Sequence, residues 1–429
     1  MISKVLLLAT TLLAGSLAAQ PPLPPPAATG DQDTSLAARL ERAERLLQLL
    51  REQVNQQAAA RVEPRTGNHV ELSGLVLVNG FFNNAKVNNS DVPQIVLPPD
   101  PPGGLPASHG GASARQSQIA LTASVPQFAG GRFHGELDLD FFGGQQPSSG
   151  GRTWPLVRLR RVRAEVEWPH GWVMFGQEAP SIAEINPSSL AQIGLVGFAR
   201  SGNLWLWLPQ VRAGVEVGTT VKIGIEGSAL APTAGDPQGV GLLFTQPDRA
   251  ERSRRPHLQG RLRIRWDEEE SSGEISLGGH YGWLAKTVDT LVVSRAVAAG
   301  ARFTATRYLE LRGEVFAGQA LAGLGGGGIG QNLGVGNAPV RARGGWAQLN
   351  VRPHPAVEVG GGYGLDDPDD VDLDPATGLL RNLSWEGHVQ WRPAPLVLGL
   401  EFRRIETTYG PALGTLFAHH VNVAAGFEF

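Results

Sequence analysis

From Val70 to the C-terminus apolar and polar residues alternate. In RFHGELDLDF (132–141), Phe133, Gly135, Leu137, Leu139 and Phe141 share one parity, and Arg132, His134, Glu136, Asp138 and Asp140 share the other. HLQGRLRIRW (257–266) sets Arg261, Arg263 and Arg265 against Leu262, Ile264 and Trp266, and NLSWEGHVQW (382–391) and the terminal HVNVAAGFEF follow the same rule. Period two means strands whose side chains point to opposite faces. About 16 such segments are predicted, near 69–82, 115–126, 131–142, 156–168, 171–178, 209–218, 219–229, 257–266, 273–284, 291–305, 307–319, 340–352, 355–364, 381–393, 395–406 and 418–429. Most have the roughly 9–11 residues that a tilted strand needs to cross a bilayer.

The pattern differs upstream. Leu36, Leu40, Ala43, Leu47, Leu50 and Val54 recur at spacings of four and three behind the N-cap candidates Asp33, Thr34 and Ser35. This predicts a helix over 35–57 with a short heptad seam, either a coiled coil between copies or one amphipathic helix packed on its own domain. Residues 19–34 contain PPLPPP and read as an extended linker. MISKVLLLATTLLAGSLA (1–18) combines a lysine, a short apolar run and small residues, as a secretory signal peptide does; as a membrane anchor its apolar run would be short.

The connectors alternate in length. Residues 83–114, 143–155, 179–208, 230–256, 320–339, 365–380 and 407–417 are long or rich in Gly, Pro and Asp, whereas QFAGG, WPHG, DEEESS, RPHP and RPAP are tight. The connector near 285–290 is short where a long one is expected. Long loops on one rim and tight turns on the other suit a transmembrane barrel. An even strand number places both barrel ends on the tight-turn rim.

Composition narrows the reading further. With no cysteine there is neither a disulfide framework nor a thiolate metal site. A net charge of −3 argues against nucleic acid as a partner. Only Lys4, Lys86, Lys222 and Lys286 are lysines, so almost all positive charge is arginine, whose planar fork suits ion pairs and anions.

RLRRVRAEVEW (158–168) tests the two solvents such faces could meet. Arg161, Arg163, Glu165 and Glu167 share a face, which lines a water-filled lumen in a membrane barrel and faces bulk solvent in a soluble sandwich. Loop asymmetry and the aromatics Trp168, Trp266, Trp385, Trp391, Phe427 and Phe429 near strand ends favour the barrel. The expected fold is therefore an all-β transmembrane antiparallel barrel over 69–429, preceded by a short coiled-coil helix. Arg158 and Arg160 fall on the lipid-facing parity, which leaves open a bulge, a subunit contact or lipopolysaccharide phosphates.

The heptad at 36–54, RLRRVRAEVEW, WVMFGQ (172–177) leading into a long third loop, and the terminal GFEF (426–429) together resemble the trimeric porins of Gram-negative outer membranes, particularly the DcaP-like group with an N-terminal periplasmic coiled coil. The resemblance implies a homotrimer in the bacterial outer membrane, with the coiled coil in the periplasm. It implies a third loop, here 178–209 with Glu178 and Glu184, that folds inward as a constriction. It also implies an arginine ladder facing acidic groups, and a C-terminal Phe429 read by the barrel-assembly machinery. The expected pore lining is Arg132, His134, Glu136, Asp138, Asp140, Arg161, Arg163, Glu165, Arg261, Arg263 and Arg265. The expected function is passive diffusion of small hydrophilic solutes with anions such as carboxylates mildly favoured. The alternative is a structural protein with a plugged barrel, attached to peptidoglycan through its N-terminal segment.

Other signals are weaker. GLGGGGIG (323–330) lacks the Lys-Ser/Thr of a phosphate loop and reads as a mobile surface loop. GLDDPDDVDLDP (364–375) lacks EF-hand spacing and reads as a solvated acidic loop, with calcium binding as the alternative. His419 and His420, as strand neighbours, face opposite sides. Ser384 and His388 share a lumenal face without an activating arrangement. No catalytic residue, metal site or cofactor is expected.

Overall fold

Wherever the chain alternates, it forms strand. The structure, a computed structural model, describes residues 67–143, 155–235, 246–268, 271–376 and 378–429. The expected signal peptide, linker and coiled coil lie outside the described residues. The strands are β1 His69–Asn83, β2 His109–Ser113, β3 Gln118–Phe128, β4 Gly131–Asp140, β5 Arg158–Trp168, β6 Gly171–Glu178, β7 Leu208–Gly218, β8 Val221–Leu230, β9 His257–Asp267, β10 Ser272–Ala285, β11 Leu291–Thr306, β12 Leu309–Gln319, β13 Arg341–His354, β14 Val357–Pro368, β15 Leu379–Trp391, β16 Leu396–Tyr409 and β17 Thr415–Glu428.

From β3 onward each strand pairs antiparallel with the next, and β17 pairs with β1 to close the ring. β2 and β3 together occupy one wall position: β2 pairs with Asn79–Asn83 of β1, and β3 with His69–Leu75. This gives a sixteen-stranded all-β barrel. Between them Ser117 takes the place of a ladder partner, its hydroxyl bonding both Leu77 N (2.9 Å) and Leu77 O (3.1 Å). The sequence pattern placed this strand at 115–126; the interruption frees Arg115 and Gln116 to turn inward.

The turns β3–β4, β5–β6, β7–β8, β9–β10, β11–β12, β13–β14 and β15–β16 span at most four residues, and the opposite rim carries the long connectors except two, 286–290 after β10 and 410–414 after β16; the latter is shorter than the expected 407–417 because β16 and β17 extend into it. β1 starts and β17 ends on the tight-turn rim, where Gly74 and Phe429 exchange backbone hydrogen bonds of 3.0 and 3.1 Å.

Alternation sorts the faces by polarity. Outward positions include Leu72, Phe175, Val217, Ile225 and Leu277, all more than half exposed. Inward positions include Asn79, Gln348, Asn350, Ser384, Glu386 and Arg403, all buried. An apolar band around a closed sheet, its backbone paired in the ladder or, at Leu77 and Arg160, satisfied by the Ser117 and Gln177 side chains, is what a lipid environment demands.

Candidate functional site

The segment between β6 and β7 (179–207) folds into the lumen and is tied to the wall along most of its path. The Ser181 hydroxyl meets Ser228 on β8 (3.1 Å) and donates to Gln259 on β9 (3.0 Å). Ile185 N donates to Glu314 on β12 (2.8 Å), and Ser188 donates through its backbone to Gln348 on β13 (2.7 Å) and through its hydroxyl to Glu358 on β14 (2.5 Å). Ser189 and Gln192 donate to Glu401 on β16 (2.5 and 2.7 Å). Asn79 on β1 donates to Leu190 O (2.9 Å), the freed Gln116 accepts from Ile193 N and Gly194 N (2.7 and 3.0 Å), and Arg158 on β5 donates to Gly194 O (2.5 Å). Wall carboxylates and amides thus satisfy loop backbone that would otherwise be stranded inside the barrel.

The second half of this loop packs against β13, β14 and a second inward connector. The Phe198 ring, fully buried, stacks on Trp346 (5.7 Å, 15°). Gly362 and Gly364 make the room: a Cβ there would lie 2.7 and 2.6 Å from the ring. The glycine-rich connector 320–340 corrects its expected exposure, since Leu324 and Ile329 are buried. Asp366 accepts from Gly328 N (2.9 Å) and Ile329 N (3.0 Å), and Leu206 N donates to Leu324 O (3.1 Å). Gly325, Gly327, Gly328 and Gly330 take positive φ and let this chain turn tightly enough to pack on Leu204 and Leu206; their scarcity of side chains had suggested mobility instead. The Arg200 guanidinium donates to Ile329 O (3.2 Å), and burial lowers its pKa.

Beside these loops lies a cavity of about 370 Å³, bordered by Arg160, Arg161 and Arg163 on the wall and by Glu184, Pro187, Ile193 and Trp207 from the loop. The expected split of the β5 arginines is corrected. Asp138 pairs with Arg161 but the next residue, Leu139, pairs with Leu159, so a bulge leaves Arg160 extra. Arg160 and Arg161 therefore both face inward, and so does Arg158. Arg158 bonds Asp140 (2.5 Å), Arg160 lies 3.3 Å from Asp138 and 3.4 Å from Asp140, and both guanidinium groups stack over Trp207. Of the three options left open for these arginines, the bulge is the one realised. Charges on both parities of RLRR are its trace in the sequence.

The wall from β4 to β10 is an interleaved charge network. Arg161 holds Glu178 (2.7 Å) and Glu136 (3.2 Å), and Arg163 pairs with Glu165. Arg212 on β7 and Arg261 on β9 both grip Glu184 from the loop, and Arg261 also takes Glu274. Arg263 (3.6 Å) and Arg265 (2.6 Å) share Glu216 nearer the tight-turn rim. Arg132 and His134 are exposed toward that rim, Arg132 pairing with Glu167 (3.1 Å), and do not border the cavity. Glu178 ends β6 rather than belonging to the loop. Arg212, Glu216, Glu226 and Glu274 went unread, although Arg212 and Glu216 share a parity in VRAGVEVG. The arginines and the acids do not face each other across a gap; they are in contact, as charges withdrawn from water must be.

The remaining candidates have local roles. Asp367 pairs with Arg343 (3.0 Å), and Asp369 and Asp372 pair with Arg341 (2.8 Å each), which holds the Asp372 carboxyl below its usual range. Among the described residues no group of three or more acidic or histidine side chains is placed to hold a metal ion. His420 is buried and bonds Asn83 (2.9 Å), while His419 faces outward. Ser384 accepts from Arg403 (3.4 Å), and His388 contacts Glu358 (3.3 Å).

No family model and no curated protein matches the chain. Among solved structures it is similar to the outer membrane channel DcaP of Acinetobacter baumannii, with a TM-score of 0.62 and 16% identity over 86% of this chain and 99% of that one. It is also similar to an anion-selective porin from Comamonas acidovorans, with a TM-score of 0.51 and 12% identity over 84% of this chain and 100% of that one. OmpT of Vibrio cholerae, an outer membrane protein, gives a TM-score of 0.51 and 9% identity over 86% and 100% of the two chains. The fold is that of an outer-membrane porin barrel.

Proposed function

We propose that the protein is an outer-membrane channel through which small hydrophilic solutes diffuse passively, with the aperture between β5 and the loop 179–207 as its narrowest passage. The observation that carries this reading is the inward loop, hydrogen-bonded around the polar wall of a closed barrel whose outside is apolar. Loop 179–207 is the constriction, and Glu184 is its acidic member. The pore lining comprises Arg160, Arg161, Arg163 and Glu178 at the aperture, with Glu136, Asp138, Arg212, Arg261, Arg263 and Arg265 extending the charged wall on both sides of it.

Fixed charge at such a passage selects by local ion concentration rather than by chemistry. Three arginines and two glutamates border the aperture, so the anion preference is mild. The rest of the reading concerns segments and partners beyond the barrel: a cleaved signal peptide, a periplasmic coiled coil over 35–57, a homotrimer, lipopolysaccharide around the barrel, and recognition of Phe429 during assembly.

Planar-bilayer conductance of the purified protein tests the channel. Stable unit conductance steps with a modest anion preference are expected. A silent barrel supports the structural alternative, which is favoured by how much of the lumen the loops 179–207 and 320–340 fill.

A further inference from the structure

The connector between β1 and β2 (84–108) has two unlike halves. Residues 99–106 are exposed at the long-loop rim, whereas 91–96 are buried inside the barrel. The buried half is seated on β15 and β16. Asn382 donates to Gln94 O (2.9 Å), Val96 N donates to Thr407 (3.0 Å), and the Tyr409 hydroxyl donates to Val96 O (2.6 Å). Within the connector the Asn88 side-chain oxygen accepts from Gln94 N and Ile95 N (2.9 Å each), which closes a short turn around Pro93. The ring of Pro93 fixes its φ, so its carbonyl projects from a stiff piece of backbone.

That carbonyl accepts from Arg403 on β16 (2.7 Å), a fully buried arginine. The same guanidinium donates to the Gln192 side-chain oxygen of the inward loop (2.8 Å) and reaches Ser384 on β15 (3.4 Å). Gln192 borders the cavity, together with Arg160 and Arg161. Its amide nitrogen donates to Glu386 (2.5 Å) and Glu401 (2.7 Å), which lie across the strand pair from Arg403 and two positions before it. Apolar clusters pin the loop on either side, Leu190 with Leu77 and Val397, and Val196 with Trp205 and Trp207. Between these pins the Gln192 side chain is held by hydrogen bonds, and Arg403 is the donor that also holds the connector. A guanidinium is a rigid planar fork, so it cannot follow one acceptor without misaligning on the others. One buried cation therefore ties wall, connector and loop together.

We infer that Arg403 is a positioning residue of the aperture: it couples the seat of the connector 84–108 to the placement of Gln192, and so sets the bore of the passage. The inference rests on the proposed channel reading. Gln116 holds the backbone of the loop next to this point, through Ala191 O, Ile193 N and Gly194 N. Opening the latch at Arg403 therefore frees the Gln192 side chain and widens the bore without unfolding the loop. Lysine at 403 keeps a positive charge beside Glu386 and Glu401, so neither carboxylate is stranded. Its single nitrogen on a flexible stem cannot reproduce the fork that spans Pro93 and Gln192.

The test is a double-mutant cycle on the full-length protein with R403K and N88A, the second loosening the connector turn around Pro93 from a distance. Proteoliposome swelling gives the permeation rate of a disaccharide relative to a monosaccharide, and planar bilayers give the open-channel noise. R403K is expected to raise the disaccharide ratio roughly twofold or more and to increase the noise. N88A is expected to raise the ratio less in the wild-type background, and to add nothing once R403K is present. Heat-modifiability on gels checks that each barrel is formed. Should R403K fail to assemble, Q192A takes its place in the cycle: it removes the loop end of the contact and leaves the buried arginine with its carboxylates. An unchanged ratio in R403K with a formed barrel overturns the inference, and so does a loss of barrel heat resistance alone. Additive effects of N88A with R403K, or with Q192A, overturn it too, because independent sites add. A wild type that conducts beside unchanged variants removes this inference only; silence in every sample, wild type included, removes the channel reading and this inference with it.

Discussion

Glu184→Gln is the sharpest perturbation of the aperture. The Glu184 carboxylate accepts from both Arg212 and Arg261, whose side chains are only 4% and 1% exposed. The substitution keeps the shape and one acceptor oxygen, sets an amide donor against one of the two guanidinium groups, and removes one negative charge. Arg261 retains Glu274, and Glu226 lies 3.8 and 3.7 Å from Arg212 and Arg261, so the stability loss stays below the roughly 3–5 kcal/mol of stranding a fully buried charge. The effect on ions is larger in consequence. At about 7 Å in water a unit charge is worth roughly 0.6 kcal/mol, about one RT. One RT enriches a monovalent anion about threefold and depletes a cation equally, so the anion-to-cation ratio would rise about sevenfold without screening. At 0.1 M salt the Debye length of about 10 Å halves the exponent, leaving about a threefold rise, and at 1 M almost none survives. The assay is the reversal potential in a KCl gradient, run at low and high salt with wild type alongside. An unchanged reversal potential at low salt, with normal conductance, would remove Glu184 from the conduction path.

Three further outcomes are expected. Arg161→Ala with Arg163→Ala takes two positive charges from the cavity border and is expected to move the reversal potential toward cations by more than Glu184→Gln moves it the other way; no shift excludes these arginines from the passage. Phe198→Ala empties a fully buried site between Trp346 and the β14 glycines and is expected to cost about 3–5 kcal/mol of local packing, seen as a noisier and larger conductance; quiet wild-type steps would show that the loop is held without this anchor. Asp372, its pKa held below the ordinary 3.8 by Arg341, stabilises the 369–376 loop fully above that ordinary value and loses the contact as pH falls through the lowered one; amide protection factors in this loop, exchange rates corrected for their intrinsic pH dependence, are expected to be the same at pH 7 and pH 5 and to fall only in stronger acid, and a fall already at pH 5 contradicts the pairing.

Much of the wall was legible because its cause is local. A strand between lipid and water must alternate, so RFHGELDLDF, HLQGRLRIRW and NLSWEGHVQW announce their faces residue by residue. The connector lengths and the two ends meeting at Gly74 and Phe429 follow from counting strands. What only the tertiary structure decided depends on partners far away in the chain. Ser189 reaches Glu401 across 212 positions, and Ile185 reaches Glu314 across 129; no local pattern encodes that the loop runs inside the wall rather than over it. The bulge at Arg160 is a single slip of register, and it carries Arg158 and Arg160 from the lipid parity to the lumen. The glycines of 323–330 gave no sign of where their backbone would be satisfied until Asp366, 38 positions on, supplied the acceptor. Alternation assigns faces because each residue meets one of two solvents, whereas the aperture is set by which distant side chains satisfy the backbone folded into it.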